Sequence, residues 1–236
     1  MPTLPKPLRP IRSYVLRQGR LTPGQQRAFA QHWATFGVEF AEQPLDFTHL
    51  FGNSNPVYVE IGCGNGAALA EMALRHPTRN YLGIEVHTPG VGHLLLRLAA
   101  QGNTNVRIIR HDALAVLRHA ISDQTLAGLY LFFPDPWPKK RHHKRRLVQP
   151  DFTALVVDKL VPNGLLHMTT DWEPYAAHML TVLQANPFLK NTATTGDFVS
   201  RPADRPLTRF EQRGQKLGHT VYDLIFRRDA VPGQSV

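Results

Sequence analysis

The stretch that decides the fold is Glu60-Ile-Gly-Cys-Gly-Asn-Gly66, in which three glycines alternate with other residues. It begins at the end of Val57 to Ile61, a run that predicts a buried strand. It is followed by Ala67 to Arg75, which has the pattern of a helix ending before Pro77. Because glycine has no Cβ, the backbone here can turn sharply and approach a ligand closely. The sequence therefore predicts a strand, a tight turn and a helix.

Strand and helix patterns alternate along the chain after this turn. Further strands are predicted at Asn80 to Val86, Val106 to His111, Leu126 to Phe133, Leu165 to Thr169 and Val221 to Phe226. The run from Leu126 to Phe133 is apolar on both faces, as expected of a central parallel strand. Short links between such elements indicate an α/β, doubly wound fold with a parallel sheet.

The composition indicates a folded and basic protein. Its 236 residues suggest one domain with extensions, and 42% of them are hydrophobic. There are 27 Lys and Arg against 18 Asp and Glu, a formal charge of +9, which favours polyanions such as nucleic acid or an anionic membrane face. The longest apolar run is too short to span a bilayer, and the single cysteine, Cys63, cannot form an internal disulfide. We therefore expect a cytoplasmic protein.

The first residues differ in character from the rest. Residues 1 to 38 carry six Lys or Arg and no acid, and the first part is rich in proline. Such a segment is expected to be a basic arm, partly disordered, with a short helix after Thr22. Thr22 is a suitable N-cap, and Pro23 suits the first helical position. We place the boundary between this arm and the α/β domain, residues 39 to 236, at residue 38.

Carboxylates stand at the ends of three successive strands, at Glu60, Glu85 and Asp112. Ligands of open α/β sheets bind at the carboxyl ends of the strands, where these acids are expected to meet. Glu85 is placed to accept hydrogen bonds from ribose hydroxyls, and Asp112 from the exocyclic amine of adenine. Singly, each acid is more often a helix cap. Together and beside a glycine loop, they favour a nucleoside site.

The spacing of the glycines bears on which nucleoside would bind. A nicotinamide dinucleotide site has the pattern G-x-G-x-x-G, whereas Gly62, Gly64 and Gly66 give G-x-G-x-G. Glu60 also places a negative charge where a pyrophosphate would lie. S-adenosylmethionine carries a sulfonium and an amino group, which suit that carboxylate better. A plain strand-to-helix turn is the simpler alternative for the loop taken alone.

The fourth predicted strand leads into the segment FFPDPWPKKRHHKRR, residues 132 to 146. Three prolines stiffen the loop around Asp135, and Trp137 offers a flat face on which a base can stack. An acid, prolines and an aromatic after the fourth strand resemble the loop with which nucleotide-amine methyltransferases hold the target base. Asp135 is therefore expected at the mouth of the site.

A run of cations follows this loop directly. It contains six cations in eight positions, with two histidines between them: Lys139, Lys140, Arg141, Lys144, Arg145 and Arg146, and His142 and His143. In an arbitrary protein such a run is more often a solvated surface or a targeting patch. Its position beside the predicted reaction centre favours contacts with RNA phosphates. The two histidines lack a third ligand at a suitable spacing, so no metal is expected.

With these residues, the chain resembles the bacterial tRNA (guanine-N7-)-methyltransferase family from about residue 12 to about residue 228. The matching segments are Arg12 to Arg20, Glu60 to Gly66, Gly83 to Gly92, Phe133 to Leu147, Thr170 to Trp172 and Arg205 to Asp223. The segments FPDPWPKKRHHKRRL and TRFE are specific to the family, whereas the glycine loop alone is not. One departure is Tyr222, where the family pattern has tryptophan.

The resemblance implies a mostly parallel, seven-stranded Rossmann-like methyltransferase sheet with an antiparallel last strand, formed by the S-adenosylmethionine-dependent domain at 39 to 236. It implies methyl transfer to N7 of a guanine in tRNA, the variable-loop guanosine, with Asp135 as the catalytic residue. The implied cofactor contacts are Glu60, Gly62, Gly64, Gly66, Glu85, Asp112 and Asp135. The implied substrate contacts are Lys139, Asp171, Thr208, Arg209, Phe210 and Glu211. The implied RNA contacts are Arg141, His142, His143, Lys144, Arg145 and Arg146.

Near the carboxyl end, arginines recur every four residues, at Arg201, Arg205, Arg209 and Arg213. The prolines between them argue against a helix, so a basic loop over the sheet edge is expected. Asp171 follows the fifth predicted strand, and its alternative role is the N-cap of the next helix.

Two other functions remain open at this point. The chain is compatible with a methyltransferase that acts on an exocyclic base amine or a protein amide. It is also compatible with an RNA-binding protein that has a methyltransferase fold and no activity, although the intact Glu60, Glu85, Asp112 and Asp135 argue against it. The expected partner is tRNA, with no membrane and no obligate protein partner, and the protein is expected to be a monomer or a homodimer.

Overall fold

The computed structural model describes residues 12–15 and 19–229. Strands and helices alternate along this part of the chain, and the strands form one mixed sheet. The α-helices of the described residues are α1 (Pro23–Phe36), α2 (Phe47–Phe51), α3 (Ala67–Arg75), α4 (Thr88–Gln101), α5 (Ala113–His119), α6 (Pro150–Lys159), α7 (Glu173–Gln184) and α8 (Arg209–Lys216). The strands are β1 (Gly37–Val38), β2 (Val57–Ile61), β3 (Asn80–Ile84), β4 (Val106–Ile109), β5 (Leu126–Phe132), β6 (Leu160–Thr170), β7 (Leu189–Asn191) and β8 (Tyr222–Arg228). A 3-10 helix, Lys140–Arg145, follows β5.

The strand order is β1-β4-β3-β2-β5-β6-β8-β7. All neighbours are parallel except those of β8, which runs antiparallel to both β6 and β7. The predicted doubly wound, mostly parallel sheet with an antiparallel last strand is confirmed. The sheet of the described residues has eight strands rather than seven, because the two-residue β1 adds to the edge of β4.

The direction of winding changes between β2 and β5, which lie side by side at the centre of the sheet. From β2 the chain proceeds outward through β3 and β4, and it then returns to β5 and proceeds the other way through β6. Such a switch leaves a crevice at the carboxyl ends of the two central strands, because the connecting helices leave in opposite directions. This topology places the residues after β2 and β5 at the same opening.

Buried apolar side chains cover both faces of the sheet. On one face, α1, α3 and α4 contribute residues such as Ala28, Leu69 and Leu94. On the other face, helices α5, α6 and α7 contribute residues such as Val156 and Met179. Burying one such large side chain stabilises a fold by about 1.5–3 kcal/mol relative to leaving it exposed. The strand ends that carry the polar residues are thus held by a core on each side.

The predicted helix after Thr22 is confirmed as α1, and it packs against α4. Thr22 and Gln25 form a capping box, in which each side chain accepts a hydrogen bond from the backbone N–H of the other residue. The side chain of Gln25 also donates to Pro89 O at 3.0 Å, and a Cβ at Gly92 would lie 2.9 Å from Gln25 Cβ. Helix α1 of the predicted arm therefore packs against the sheet domain and residues 37–38 form an edge strand of its sheet, while the domain boundary at residue 38 stays a prediction. Residues 1–11 lie outside the described residues.

One expectation about the carboxyl-terminal part is only half right. The arginine-rich segment is predicted from its prolines to be a loop, which holds for residues 201–208, but α8 begins at Arg209. Pro202 and Pro206 precede this helix, so they do not interrupt it. Among the described residues, no helix is both long enough and apolar enough to cross a membrane.

We expect Thr22→Ala to lower the free energy of unfolding by about 0.5–2 kcal/mol, because the first turn of α1 loses its side-chain acceptor. Thr22→Ser, which keeps the hydroxyl, is the matched control and is expected to remain close to the parent protein. Urea denaturation followed by circular dichroism measures both changes. Equal stability of the alanine variant and the parent would contradict the capping role.

Candidate active site

A cavity of about 460 Å³ opens at the carboxyl ends of the central strands. Its wall includes residues from the ends of four strands, among them Gly62, Glu85, His111 and Asp135. Most of the other lining residues are apolar, such as Leu131. An apolar cleft with a few convergent polar groups, at the switch point of an α/β sheet, is typical of a small-molecule site.

The glycine loop after β2 requires its glycines. Gly62, Gly64 and Gly66 have φ values of +71°, +55° and +70°, in the left-handed region that other residues rarely adopt. A Cβ at Gly66 would also lie 2.1 Å from a methyl carbon of Leu94 on α4. The loop is thereby held tightly between β2 and α4, with its backbone at the edge of the cavity.

Glu85 fixes this loop to the end of β3. One of its carboxylate oxygens accepts a hydrogen bond from Gly64 N at 2.7 Å. The other oxygen accepts bonds from Val86 N and His87 N, both at 2.8 Å. A carboxylate offers about four lone-pair sites, so Glu85 is oriented by three backbone groups and keeps capacity for a ligand hydroxyl.

Glu60 is a buried acid without a hydrogen-bond partner for one of its oxygens. Its side chain is 3% exposed, and Oε2 has no partner among the described residues. Burial, together with the negative charge of Glu85, raises the pKa of Glu60 to about 8. Glu60 does not itself line the cavity, although the next two residues do. A nearby cation would stabilise the ionised form of this carboxyl group.

Asp112 has the capping role that the sequence left open, and its contact with adenine stays a prediction. Its Oδ1 accepts a hydrogen bond from Ala115 N at 3.1 Å, so it caps α5. Its neighbours His111 and Ala113 line the cavity. The hydroxyl of Tyr14 donates to Asp112, and burial together with this negative charge raises the pKa of Tyr14.

The segment Ser13–Val15 forms part of the cavity wall, which the sequence did not predict. Trp137 Nε1 donates to Ser13 O at 3.1 Å. Arg145 donates to the carbonyl oxygens of Arg12 and Tyr14, at 3.1 and 3.2 Å. Two side chains of the loop after β5 thus hold the amino-terminal segment at the cavity. The sequence carried no signal for this contact, because it joins residues more than 120 positions apart.

Asp135 lies on the cavity wall and is exposed at its mouth. Partial burial raises the pKa of Asp135, while the guanidinium of Arg145 acts in the opposite direction. Phe133 and Trp137 have φ values of +50° and +44°, which are rare for bulky residues and strain the backbone of this loop. The guanidinium carbon of Arg145 lies 3.8 Å from the ring centre of Trp137. One face of the aromatic ring predicted to stack on a base is therefore covered by Arg145.

Most of the basic run is on the surface, but its last residue is not. Lys139, Lys140, Arg141 and Lys144 are exposed, and the two histidines and Arg145 are half-buried. Arg146 is 4% exposed.

The predicted RNA contact at Arg146 does not fit this burial. Its Nε donates to Pro136 O at 2.9 Å, and its guanidinium carbon lies 4.8 Å from the ring centre of Tyr175. The side chain is directed inward and lies between the loop and α7. Through Pro136 it supports the loop that carries Asp135.

Of the expected substrate residues whose side chains are described, none lines the cavity: these are Lys139, Asp171, Thr208 and Glu211. Asp171 is half-buried after β6, with Oδ2 3.3 Å from His219 Nδ1, and the N-cap of α7 is Trp172 rather than Asp171. Thr208 is half-buried and accepts a hydrogen bond from Glu211 N.

Glu211 does not fit a direct substrate contact. It is 1% exposed, and both of its carboxylate oxygens bind Arg205. The side chains of Arg209 and Phe210 lie outside the described part of the structure. In the part of the chain that the structure describes, no group of three or more His, Cys, Asp or Glu is placed to hold a metal ion.

Comparison with known proteins connects this site with a family. A family model described as "Putative methyltransferase" matches residues 54–224. The tRNA (guanine-N(7)-)-methyltransferase of Pasteurella multocida (strain Pm70) is 55% identical over 218 residues, which cover 92% of this chain and 86% of that protein. The protein of the same name from Aliivibrio fischeri (strain MJ11) is 52% identical over 225 residues, with 95% and 94% covered.

Solved structures share the fold at low identity. The 16S rRNA methyltransferase KamB superposes with a TM-score of 0.58 at 14% identity, covering 78% of this chain and 93% of that chain. The 16S rRNA (adenine(1408)-N(1))-methyltransferase from Catenulisporales acidiphilia, with cosubstrate SAM, gives a TM-score of 0.53 at 15% identity, with 90% and 94% covered. These similarities show the fold, whereas the sequence relatives, together with the matched family model, show the family. The chain therefore belongs to the tRNA (guanine-N7-)-methyltransferase family.

Proposed function

We propose that this protein transfers the methyl group of S-adenosylmethionine to N7 of a guanine in tRNA. The observation that carries the proposal is the cavity at the carboxyl ends of the strands, with its acids beside the exposed cations of Lys139–Lys144. A cofactor in the cavity would lie next to a surface suited to a polynucleotide. Family membership supports guanine N7 in tRNA as the target, and the variable loop as its place follows from the family resemblance.

The residues of the cavity fit S-adenosylmethionine. The glycine backbone leaves room for close approach, and Glu85 keeps acceptor capacity for the ribose. Glu60 lies behind the cavity wall, so its unpartnered buried oxygen would act on the cationic end of the cofactor through water or backbone groups. Asp112, between the lining residues His111 and Ala113, suits the adenine amine. The bound cofactor supplies a methyl group on a sulfonium, ready for displacement. We assign Glu60, Glu85 and Asp112 to the binding of the cofactor, together with the loop of Gly62, Gly64 and Gly66. Asp135, the remaining residue of the predicted set, is assigned to both the cofactor and the guanine.

Guanine N7 has a lone pair and no proton, so the reaction needs no general base. The protein must instead hold N7 in line with the methyl group, and such alignment can contribute about 7–11 kcal/mol in favourable cases. The purine ring becomes positively charged as the methyl group arrives. Asp135, exposed at the cavity mouth, is placed to stabilise this charge. We therefore assign Asp135 to positioning and charge stabilisation rather than proton transfer.

Recognition of guanine and RNA is assigned to the surrounding surface. Asp171 suits the N–H donors on the Watson–Crick edge of guanine and is mismatched with the acceptor of adenine. Lys139 and residues 208–210 are the other proposed contacts with the substrate. The proposed RNA contacts are Arg141, His142, His143, Lys144 and Arg145.

We also infer that the protein works in the cytoplasm without a metal ion. Both inferences are supported by the proposed reaction, because its substrate is tRNA and methyl displacement from a sulfonium needs no Lewis acid. The oligomeric state, a monomer or a homodimer, stays a prediction.

We expect the unaltered protein to form 7-methylguanosine in unmodified tRNA, as measured by nucleoside analysis of a digest. A methyl group on an exocyclic amine would instead contradict N7 as the methylated atom.

Asp135→Asn is expected to lower the single-turnover rate by about 10²–10³-fold, the usual cost of removing one transition-state stabiliser, without loss of tRNA binding. Asp151→Asn, on the exposed start of α6, is the matched control and should leave the rate unchanged.

Cofactor binding is expected to release a proton from Glu60. The pKa of this carboxyl group in the free protein is about 8, so the group is protonated at neutral pH, and a bound cation favours its ionised form. Affinity should therefore rise as the pH increases toward 8. Calorimetry at about pH 6.5, where the cofactor amine is already protonated, should show release of about one proton when two buffers of different ionisation enthalpy are compared.

The control for this measurement is Glu60→Gln, which has no proton to release and should bind the cofactor with almost no proton transfer. Proton release that persists in the glutamine variant would assign it to another group. Cofactor binding by the unaltered protein without any proton release would show that Glu60 does not interact with the cation.

The exposed cations are expected to determine the salt dependence of tRNA binding. If Arg141→Ala or Lys144→Ala removes one contact with a phosphate, the slope of log affinity against log salt should fall by about 0.7–0.9. Arg118→Ala, an exposed arginine at the end of α5, is the control. A titration series at several salt concentrations measures the slopes, and unchanged slopes in the first two variants would indicate a solvated run.

A further inference from the structure

A buried network of charged side chains is centred on Arg205. Its guanidinium donates to the two carboxylate oxygens of Glu211 at 2.5 and 2.8 Å, and to Asp223 Oδ2 at 3.0 Å. Arg205 Nε also lies 2.8 Å from Asp223 Oδ1. All three side chains are at most 2% exposed. Paired, fork-to-fork contacts of this kind fix the relative orientation of the groups as well as their distance.

The network anchors the first turn of α8. Thr208-Arg-Phe-Glu211 has the spacing of a capping box, in which the threonine accepts from the backbone of the glutamate and the glutamate side chain turns back to the threonine. The first half is present, since Thr208 Oγ1 accepts from Glu211 N at 3.1 Å. The Glu211 carboxylate, however, binds Arg205. The start of α8, which is the proposed substrate segment, is therefore anchored to Arg205.

The same network reaches the loop that carries Asp135. Asp223 Oδ1 accepts a hydrogen bond from Thr169 Oγ1 at 2.9 Å and lies 2.7 Å from His167 Nε2. The backbone oxygen of Thr169 accepts a bond from Phe133 N at 2.8 Å, two residues before Asp135. A continuous set of polar contacts thus joins the start of α8 to the loop after β5.

The surroundings of Asp223 favour its ionised form. Burial alone would raise the pKa of Asp223, but the hydrogen bond from His167 and the charge of Arg205 outweigh it and lower that pKa. Buried ion sets of this kind are often no more stabilising than well-packed apolar residues of similar volume. Stability is therefore a weak explanation for a network that lies between two segments of the proposed active site.

We propose that Arg205 is a positioning residue for methyl transfer, which through Glu211 and Asp223 fixes the substrate segment 208–211 relative to the loop of Asp135. Glu211 acts through Arg205 and does not touch the guanine. This inference rests on the proposed function, and it replaces the expected direct contact of Glu211 with substrate.

The test uses Glu211→Gln, which keeps the shape of the side chain and removes the charge that pairs with Arg205, and Arg205→Lys, which keeps the charge and removes the fork. Both are expected to lower the single-turnover rate with tRNA by about tenfold or more, since small misplacements of reacting groups can cost about 10²-fold. The Kd of S-adenosylmethionine should stay within about twofold of the parent value, because the cofactor contacts are elsewhere. Asp123→Asn, in the ion pair with Lys159 before β5, is the matched control and should leave the rate unchanged.

A tRNA with inosine in place of the target guanosine separates positioning from direct contact. Inosine lacks the exocyclic amine, so a carboxylate that bound this amine would matter less with the inosine substrate. Positioning predicts the same fold-reduction in rate for Glu211→Gln with guanosine and with inosine. A clearly smaller reduction with inosine would overturn the inference in favour of direct contact.

Two other results would also overturn it. A near-normal rate in both variants would show that the network does not position the substrate. A cofactor Kd and a thermal midpoint that deteriorate in step with the rate, with activity recovered at a lower temperature where the variants are folded, would show a structural role only. Absence of methyl incorporation by the unaltered protein would instead overturn the proposed function, and the inference with it.

Discussion

The hydrogen bond from Gly64 N to Glu85 joins the ends of two neighbouring strands, and the shape of the cavity depends on it. The glycine loop follows β2 and has left-handed backbone at three positions, a conformation that glycine adopts readily but that a flexible glycine segment keeps only when neighbouring groups hold it. Glu85, at the end of β3, supplies an acceptor 2.7 Å from Gly64 N and is itself oriented by two further backbone groups. On the other side, Leu94 of α4 leaves room only for hydrogen at Gly66. The sheet, the loop and the helix therefore define the edge of one cavity.

This arrangement places Glu60 and Glu85 close together, and both are buried from solvent. Burial and the charge of Glu85 make ionisation of Glu60 unfavourable in the free protein, so its pKa is about 8. A cationic ligand removes that conflict, which is the electrostatic reason for assigning a sulfonium cofactor to this site. The excess of surface cations next to the opening suits the second, polyanionic substrate. In the proposed function, a cationic and a polyanionic substrate would therefore bind at adjacent parts of one edge.

Much of the fold could be predicted from the sequence because it depends on local patterns. The alternation of strands and helices, the glycine loop and the acids at strand ends are all readable from short segments. The two- and three-residue strands β1 and β7 are too short to show a period, so their positions were not predicted. The helix cap at Thr22 was predicted because its signal lies within four residues.

Side-chain burial could not be predicted in the same way, because it depends on distant parts of the chain. Arg146 is indistinguishable from its neighbours in a run of cations, and only the packing of Tyr175 and Pro136 shows that it is directed inward. Glu211 and Arg205 have polar surroundings in the sequence, yet both are buried beside Asp223.

The most direct measurement of the central claim is a structure of the protein with S-adenosylmethionine and tRNA. We expect the cofactor to lie in the cavity between the glycine loop and Asp135, with guanine N7 facing the methyl group and Glu211 still bound to Arg205. A cofactor bound on another surface, or a target base held away from Asp135, would contradict it.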